Sequence, residues 1–112
     1  MGKHQGKLLL KGIGASPGIY RGKVKIINRK VDNISISNGE IIVADFITPL
    51  EIILVLNAGA VITDHGGITS HAAVIAREIG IPCVVSTNNA TKVLKNGMEV
   101  IVDGEEGTVY QS

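Results

Sequence analysis

Short apolar runs, separated by glycine, proline and polar residues, recur along the chain and predict β-strands. From Gly22 to Ile27, lysines alternate with valine and isoleucine, the pattern of a strand buried on one face. Other runs are apolar without alternation, which is typical of strands buried on both faces. The predicted strands span residues 8–13, 22–27, 40–44, 60–63, 82–86, 98–102 and 108–110, and the last two form a hairpin through residues 103–107.

Between these strands, one segment carries the signals of a helix start and stop. Thr48 followed by Pro49 is typical of an N-cap and a first helical position. The predicted helix runs from Leu50 to Asn57 and stops at Gly59. A single helical turn is also predicted over residues 91–94.

A second helix is predicted after a pair of glycines. Thr69 or Ser70 caps it, and it ends near Ile79, because Gly80 and Pro82 stop a helix. Its apolar positions share one face at helical spacing. They are Ala72, Ala73, Ile75, Ala76 and Ile79.

The remaining residues are predicted to be turns, a loop and a tail. Gly14–Gly18 is a turn cluster, residues 28–39 form a loop, and residues 1–6 form a flexible N-terminal tail. We therefore predict one compact α/β domain over residues 7–112.

Composition excludes several classes of function. The chain has 112 residues, which fits one domain, and a net charge of +1 with only 3% aromatic residues, so a nucleic-acid-binding surface is not expected. The longest apolar stretch, about Ile52–Leu56, is far too short to span a membrane. With one cysteine and no signal peptide, we expect a cytoplasmic protein without an internal disulfide.

The strongest candidate for chemistry is His71, in the first turn of the second predicted helix. A helix start presents free backbone N–H groups and a positive partial charge, which together favour an anion. Gly66 and Gly67 are able to adopt positive φ and let the backbone curl around that anion, while Thr69 and Ser70 add hydroxyl donors. A neutral imidazole is a competent nucleophile near neutral pH. The same pattern also fits a plain polar residue after a tight turn, so these residues alone leave both interpretations open.

Other candidates have simpler explanations. His65 is either a solvated turn residue or a partner that tunes His71, and Asp64 either caps loop backbone or orients an imidazole. Arg77 is placed on the solvated face of the helix, with contact to a partner's phosphate as the alternative. Cys83 is expected to be a buried, inert thiol. A hydrolase that uses the two histidines as metal ligands lacks a third ligand at suitable spacing.

The segment of residues 66–85, GGITSHAAVIAREIGIPCVV, closely resembles the signature of the mobile, swivelling phosphohistidine domain of phosphoenolpyruvate-utilising enzymes. This family includes phosphoenolpyruvate synthase, pyruvate phosphate dikinase and enzyme I of the sugar phosphotransferase system. The segment Gly14–Gly18 is similar to the start of that domain, and residues 89–91, 102–104 and 107–109 are similar to its C-terminal part. The resemblance covers nearly the whole chain.

The resemblance implies a fold and a set of roles. The fold is a swivelling β/β/α sandwich, and His71 is phosphorylated on its Nε2 atom. Thr69 helps to hold the phosphoryl group, and Ser70 occupies a position that is serine or cysteine in relatives. Ile68 departs from the family pattern, because relatives often have methionine or arginine there. An arginine at this position is able to pair with phosphate.

By the same resemblance, the chain is a phosphoryl carrier that shuttles phosphate between two sites on other domains or partner proteins. One site binds a nucleotide or another donor, and the other binds pyruvate or phosphoenolpyruvate. No cofactor is expected in this chain, since Mg²⁺ and nucleotide belong to the partners. Ala72, Ala73 and Val74 offer a small apolar patch for docking. The alternative is a non-catalytic binding or scaffold module with His71 as a relic, and an acid-labile, base-stable phosphate on His71 separates the two.

Overall fold

A computed structural model describes residues 6–27 and 35–112, and across these residues the chain forms eight strands and three α-helices. The strands are β1 (Leu8–Lys11), β2 (Ile13–Ser16), β3 (Ile19–Ile26), β4 (Ile41–Ala44), β5 (Ala60–Thr63), β6 (Cys83–Val85), β7 (Glu99–Asp103) and β8 (Thr108–Gln111). The helices are α1 (Ile52–Val55), which follows a 3-10 turn at Pro49–Glu51, α2 (His71–Ile79) and α3 (Ala90–Val93).

Two sheets share the long strand β3. The strand order is β1-β8-β7-β3-β4-β5-β6-β2. On one side, β3 pairs antiparallel with β7, with Tyr20 opposite Val102, and this sheet continues antiparallel through β8 to β1. On the other side, β3 pairs parallel with β4, with Val24 opposite Ile41, and the parallel pairing continues through β5 to β6. The first strand thus pairs with the last, while β2 closes the opposite end against β6.

Strand β4 shows how the layers are built. Ile41 and Val43 point into a core between the two sheets, which they share with side chains of β7 and β8. Ile42 and Ala44 point to the other side, into a core shared with α1 and α2. All four side chains are buried, which explains an apolar run without alternation. The layers are sheet, sheet and helices, so the predicted α/β fold with a β/β/α arrangement is confirmed.

The N-terminal strands differ from the prediction. The predicted strand over residues 8–13 is divided at Gly12 between β1 and β2, and residues 14–16 of the predicted turn also belong to β2. A Cβ atom on Gly14 would lie 2.3 Å from the carbonyl oxygen of Gly104. Gly14 is therefore required for close approach of two backbone segments. The turn residue of this cluster is Gly18, which has a left-handed φ of 123°.

The first predicted helix is shorter than expected. It opens with the 3-10 turn, in which the Glu51 carboxylate accepts the backbone N–H of Thr48 at 3.0 Å. It closes early because the N–H groups of Asn57 and Ala58 donate to carbonyls three residues back, at 3.2 and 3.0 Å. The α-helical part therefore covers Ile52–Val55, not Leu50–Asn57.

The second predicted helix and the C-terminal hairpin agree with the prediction. Helix α2 ends at Gly80, which is left-handed with φ of 81°, and the third helix lies one residue earlier than predicted. Strands β7 and β8 pair as the predicted hairpin. Residues 28–34 of the predicted loop and residues 1–5 of the predicted tail lie outside the described residues, so the limits of the tail and of the domain stay predictions.

Candidate functional site

The candidate site lies where the parallel strands β4 and β5 end side by side. In open α/β sheets, ligands bind outside the carboxyl ends of the strands. Residues 64–70 lead from the end of β5 to His71, the first residue of α2. The backbone N–H of His65 donates to the carbonyl oxygen of Asp45 at 2.9 Å, which joins the loops that follow the two strands.

Ser70 organises the turn before α2. Its backbone N–H and its hydroxyl donate to the carbonyl oxygen of Gly67, at 3.0 and 2.7 Å. The same hydroxyl oxygen accepts the N–H of Ala73 at 3.4 Å, so Ser70, and not Thr69, is the N-cap. Gly66 adopts a left-handed φ of 105°, and Gly67 does not use its freedom to do so.

His71 and Thr69 are both exposed at this edge. Within residues 6–27 and 35–112, no acceptor takes the backbone N–H groups of residues 66–69. The first N–H groups of a helix also lack partners within the helix. The result is an exposed imidazole next to a set of backbone donors and a hydroxyl, an arrangement that is able to hold an anion such as a phosphoryl group beside a nucleophile.

Asp64 does not orient an imidazole. It is buried, and its Oδ1 accepts the backbone N–H of Thr91 at 3.0 Å while its Oδ2 accepts the Thr91 hydroxyl at 2.5 Å. Its carboxylate therefore ties the end of β5 to the first turn of α3. The capping alternative for Asp64 is correct, although the backbone that it caps is in α3.

His65 is exposed, and the backbone on both of its sides is fixed. Besides the N–H bond to Asp45, its carbonyl oxygen accepts the hydroxyl of the buried Thr63 at 2.7 Å. These contacts fit the prediction of a turn residue at the mouth of the site.

Arg77 makes two contacts that the sequence does not predict. Its Nη1 donates to the carbonyl oxygen of Ala15 at 2.9 Å, and its Nη2 donates to the carbonyl oxygen of Ile68 at 2.6 Å. Arg77 is exposed, as predicted for the solvated face of the helix, and its guanidinium also joins β2 to the loop before His71. No sequence signal predicts a bond from a helix residue to a loop carbonyl nine residues earlier.

Cys83 is buried in β6, as expected for an inert thiol. Burial raises the pKa of its thiol to about 12, and the nearby positive charge of Arg77 acts in the opposite direction. Among the described residues, no group of three or more His, Cys, Asp or Glu side chains is placed to hold a metal ion. None of the helices described is long and apolar enough to cross a membrane.

The predicted apolar patch after His71 is largely wrong. Ala72 and Ala73 are buried against the sheet and belong to the core that contains α1 and α2. The exposed apolar side chains beside His71 are Ile68 and Val74, with 56% and 40% of their surface accessible. An apolar docking surface next to His71 along the chain would therefore use Ile68 and Val74, and not Ala72 and Ala73.

Fold and site together define a class: a β/β/α domain that presents an exposed histidine at a helix start, above a loop of free backbone donors. A family model for the mobile domain of PEP-utilising enzymes matches residues 36–107. The chain belongs to this family.

A relative and two solved structures extend this result. The chain is 51% identical over 107 residues to a probable phosphoenolpyruvate synthase of Archaeoglobus fulgidus, in a match that covers 96% of this chain and 14% of that protein. The solution structure of an Enzyme I protein superposes with a TM-score of 0.61 and 37% identity, over 70% of this chain and 33% of that one. The aconitase X structure of Thermococcus kodakaraensis has a TM-score of 0.67 at 21% identity, over 90% and 95% of the two chains, which shows the fold alone. The chain thus spans about one-seventh of the first relative's length.

Proposed function

We propose that this domain is a phosphoryl carrier and that His71 is the residue that accepts the phosphoryl group. The observation that carries the proposal is the exposed imidazole at the first position of α2, next to residues 66–69, whose backbone N–H groups have no acceptor among the described residues. Membership of the mobile-domain family supports it. A shared fold would not, because one fold hosts many functions.

The transfer step forms one bond to phosphorus, at a single imidazole nitrogen, and breaks one. The lone pair of neutral His71 Nε2 attacks the phosphorus atom, the N–P bond forms, and the bond from phosphorus to the donor's leaving oxygen breaks with its electron pair on that oxygen. The reverse sequence delivers the group to an acceptor oxygen. In the bound state, the N–H groups of the 66–69 loop and the Thr69 hydroxyl neutralise the phosphoryl oxygens. The Ser70 hydroxyl holds Gly67 in the free protein and must leave that carbonyl before it donates to phosphate.

The donor and acceptor sites lie on other domains or partner proteins in this proposal. The site at one end of the transfer binds a nucleotide or another donor, and the site at the other end binds pyruvate or phosphoenolpyruvate. The relative named as a probable phosphoenolpyruvate synthase supports the second of these sites. Mg²⁺ and nucleotide belong to those partners. Phosphoryl transfer needs positioning and charge neutralisation by metal and basic groups, which such sites supply.

The test uses phosphoramidate, a small donor that phosphorylates histidine without a protein partner. The purified chain is incubated with it and analysed by mass spectrometry, with His71→Ala as the test variant and His65→Ala as the matched control. We expect the wild type and His65→Ala to gain one acid-labile, base-stable phosphoryl group, and His71→Ala to gain none. His71 is exposed, so its replacement should change stability by no more than about 0.5 kcal/mol.

Two results contradict the proposal. If a folded His71→Ala protein is still labelled, the phosphorylated residue is not His71, and His65 is the first candidate. A wild-type protein that is never labelled, with phosphoramidate or with a phosphoenolpyruvate synthase relative as donor, supports the alternative of a binding module.

A further inference from the structure

Arg77 connects three parts of the domain through one side chain. It lies in the last turn of α2, and its guanidinium contacts Ala15 in β2 and Ile68 in the loop before His71. Both acceptors are backbone carbonyls, at 2.9 and 2.6 Å. A guanidinium holds its donors in a fixed plane, so two such contacts set the position of the loop relative to the sheet and the helix.

The contact at Ile68 also fixes the direction of a neighbouring donor. The carbonyl of Ile68 and the N–H of Thr69 belong to the same peptide unit, and in a planar trans unit they point in opposite directions. The described residues contain no cis peptide bond. Holding the Ile68 oxygen against Arg77 therefore aims the Thr69 N–H away from the guanidinium. No acceptor within the described part of the chain takes that N–H.

The preceding peptide is held in the same manner by a different residue. The Gly67 carbonyl accepts two bonds from Ser70, which directs the N–H of Ile68. The N–H groups of Ile68 and Thr69 are thus each oriented by a hydrogen bond to the carbonyl of the same peptide unit. Gly66 has a left-handed φ, and glycine allows the backbone many conformations. The bonds to the Gly67 and Ile68 carbonyls restrict the loop to one of them. Ser70 belongs to the turn itself, whereas Arg77 holds the Ile68 carbonyl from outside the turn, from the last turn of α2.

We propose that Arg77 is a positioning residue for phosphoryl transfer at His71, and that it acts by fixing the Ile68–Thr69 peptide so that the Thr69 N–H is aimed at the phosphoryl group. This inference rests on the proposed carrier function. Each terminal nitrogen of Arg77 donates one bond to a backbone carbonyl, so the role assigned to Arg77 in this proposal is to hold the loop and not to bind the phosphoryl group itself. A donor that is already oriented costs no reorganisation during the transfer.

The test measures phosphoryl uptake from phosphoramidate by Arg77→Ala and Arg77→Lys. Arg21→Ala is the matched control, since Arg21 is an exposed arginine paired with Glu99 on the other sheet. We expect Arg77→Ala to lower the maximal uptake rate about tenfold, because a misdirected donor loses part of the 10²-fold or larger effect of a fixed one, with a smaller change in the half-saturating donor concentration. Arg77→Lys should fall between, and Arg21→Ala should match the wild type.

A spectroscopic readout separates positioning from general stability. In the wild type, the ¹H–¹⁵N resonance of Thr69 should shift when His71 is phosphorylated, and in Arg77→Ala this shift should shrink. If Arg77→Ala does not fold, Arg77→Lys carries the test, because it keeps the charge and the aliphatic stem. A folded Arg77 variant with wild-type uptake, or with slow uptake and an unchanged Thr69 shift, overturns the inference. A wild-type chain that takes up no phosphate overturns the carrier function instead.

Discussion

Replacing Asp64 tests whether its carboxylate is a structural clamp. The side chain is buried at the end of β5 and accepts both the backbone N–H and the hydroxyl of Thr91. Asp64→Ala removes both bonds and leaves two donors in the first turn of α3 without their acceptor. Hydrogen bonds to a charged group contribute roughly 1.5–3 kcal/mol each. Thr91 is half-buried, so water replaces part of this loss, and we expect a net cost of about 2–3 kcal/mol.

The cost is read from thermal and urea unfolding. For a domain of this size, each kcal/mol lowers the Tm by roughly 4 °C, so Asp64→Ala should lower it by about 10 °C. Thr91→Val removes only the hydroxyl and should cost about 1 kcal/mol. In the double variant the two costs should not add, because both changes break the same contact.

The outcome also distinguishes the clamp from a role in the site. If Asp64 oriented the imidazole of His71, Asp64→Ala would slow phosphoryl uptake while leaving the Tm nearly unchanged. A Tm within about 2 °C of the wild type, or fully additive costs in the double variant, would refute the clamp.

Three further predictions concern the cap, the thiol and the isolated chain. Ser70→Ala should lower the free energy of unfolding in urea by about 1 kcal/mol and slow phosphoryl uptake, because it removes the N-cap and one bond that shapes the loop. Ser70→Thr should retain most of the stability and most of the uptake rate. An alanine variant with wild-type stability would contradict the assignment of Ser70 as the cap. Burial raises the pKa of the Cys83 thiol from its ordinary value of 9.0 to about 12 in the folded protein, so the unfolded chain loses its thiol proton first. The free energy of unfolding should therefore fall as pH rises above 9.0, and this thiol contributes at most ~1.4 kcal/mol per pH unit. The fall should be steeper in the wild type than in Cys83→Ala. Equal slopes of unfolding free energy against pH in the two proteins would contradict the raised pKa. The isolated chain with ATP, Mg²⁺ and pyruvate should show no turnover, and steady formation of phosphoenolpyruvate would reveal a complete active site in this domain.

The sequence predicts the centre of the fold well because local signals and tertiary packing agree there. Strand β5 consists of three apolar residues and Thr63, all buried, and its bounds match the prediction. Helix α2 lies between a serine cap and a left-handed glycine, both visible in the sequence. The exposed position of His71 follows from the same signals, since the residue after an N-cap lies at the helix start.

The parts that sequence does not predict depend on contacts between distant segments. Gly14 resembles a turn residue, yet it lies in a strand because the backbone at Gly104 passes close beside it. Arg77 resembles a solvated helix residue, yet it binds carbonyls that only the folded chain brings within reach. Ala72 and Ala73 resemble a docking patch until the sheet covers them. The sequence around a small or charged residue contains little information about which distant segment will contact it in the folded chain.

The pairing of the first strand with the last constrains when the domain can fold during synthesis. Leu8 of β1 lies opposite Tyr110 of β8, and the N–H of Gln111 donates to the carbonyl of Lys7 at 2.8 Å. Strand β1 therefore has no partner until residue 111 has left the ribosome. The nascent chain keeps an open strand edge for that whole interval, which exposes it to pairing with other chains. Because this pairing joins residues that lie far apart in the sequence, we expect slow folding in which β1 and β8 pair last.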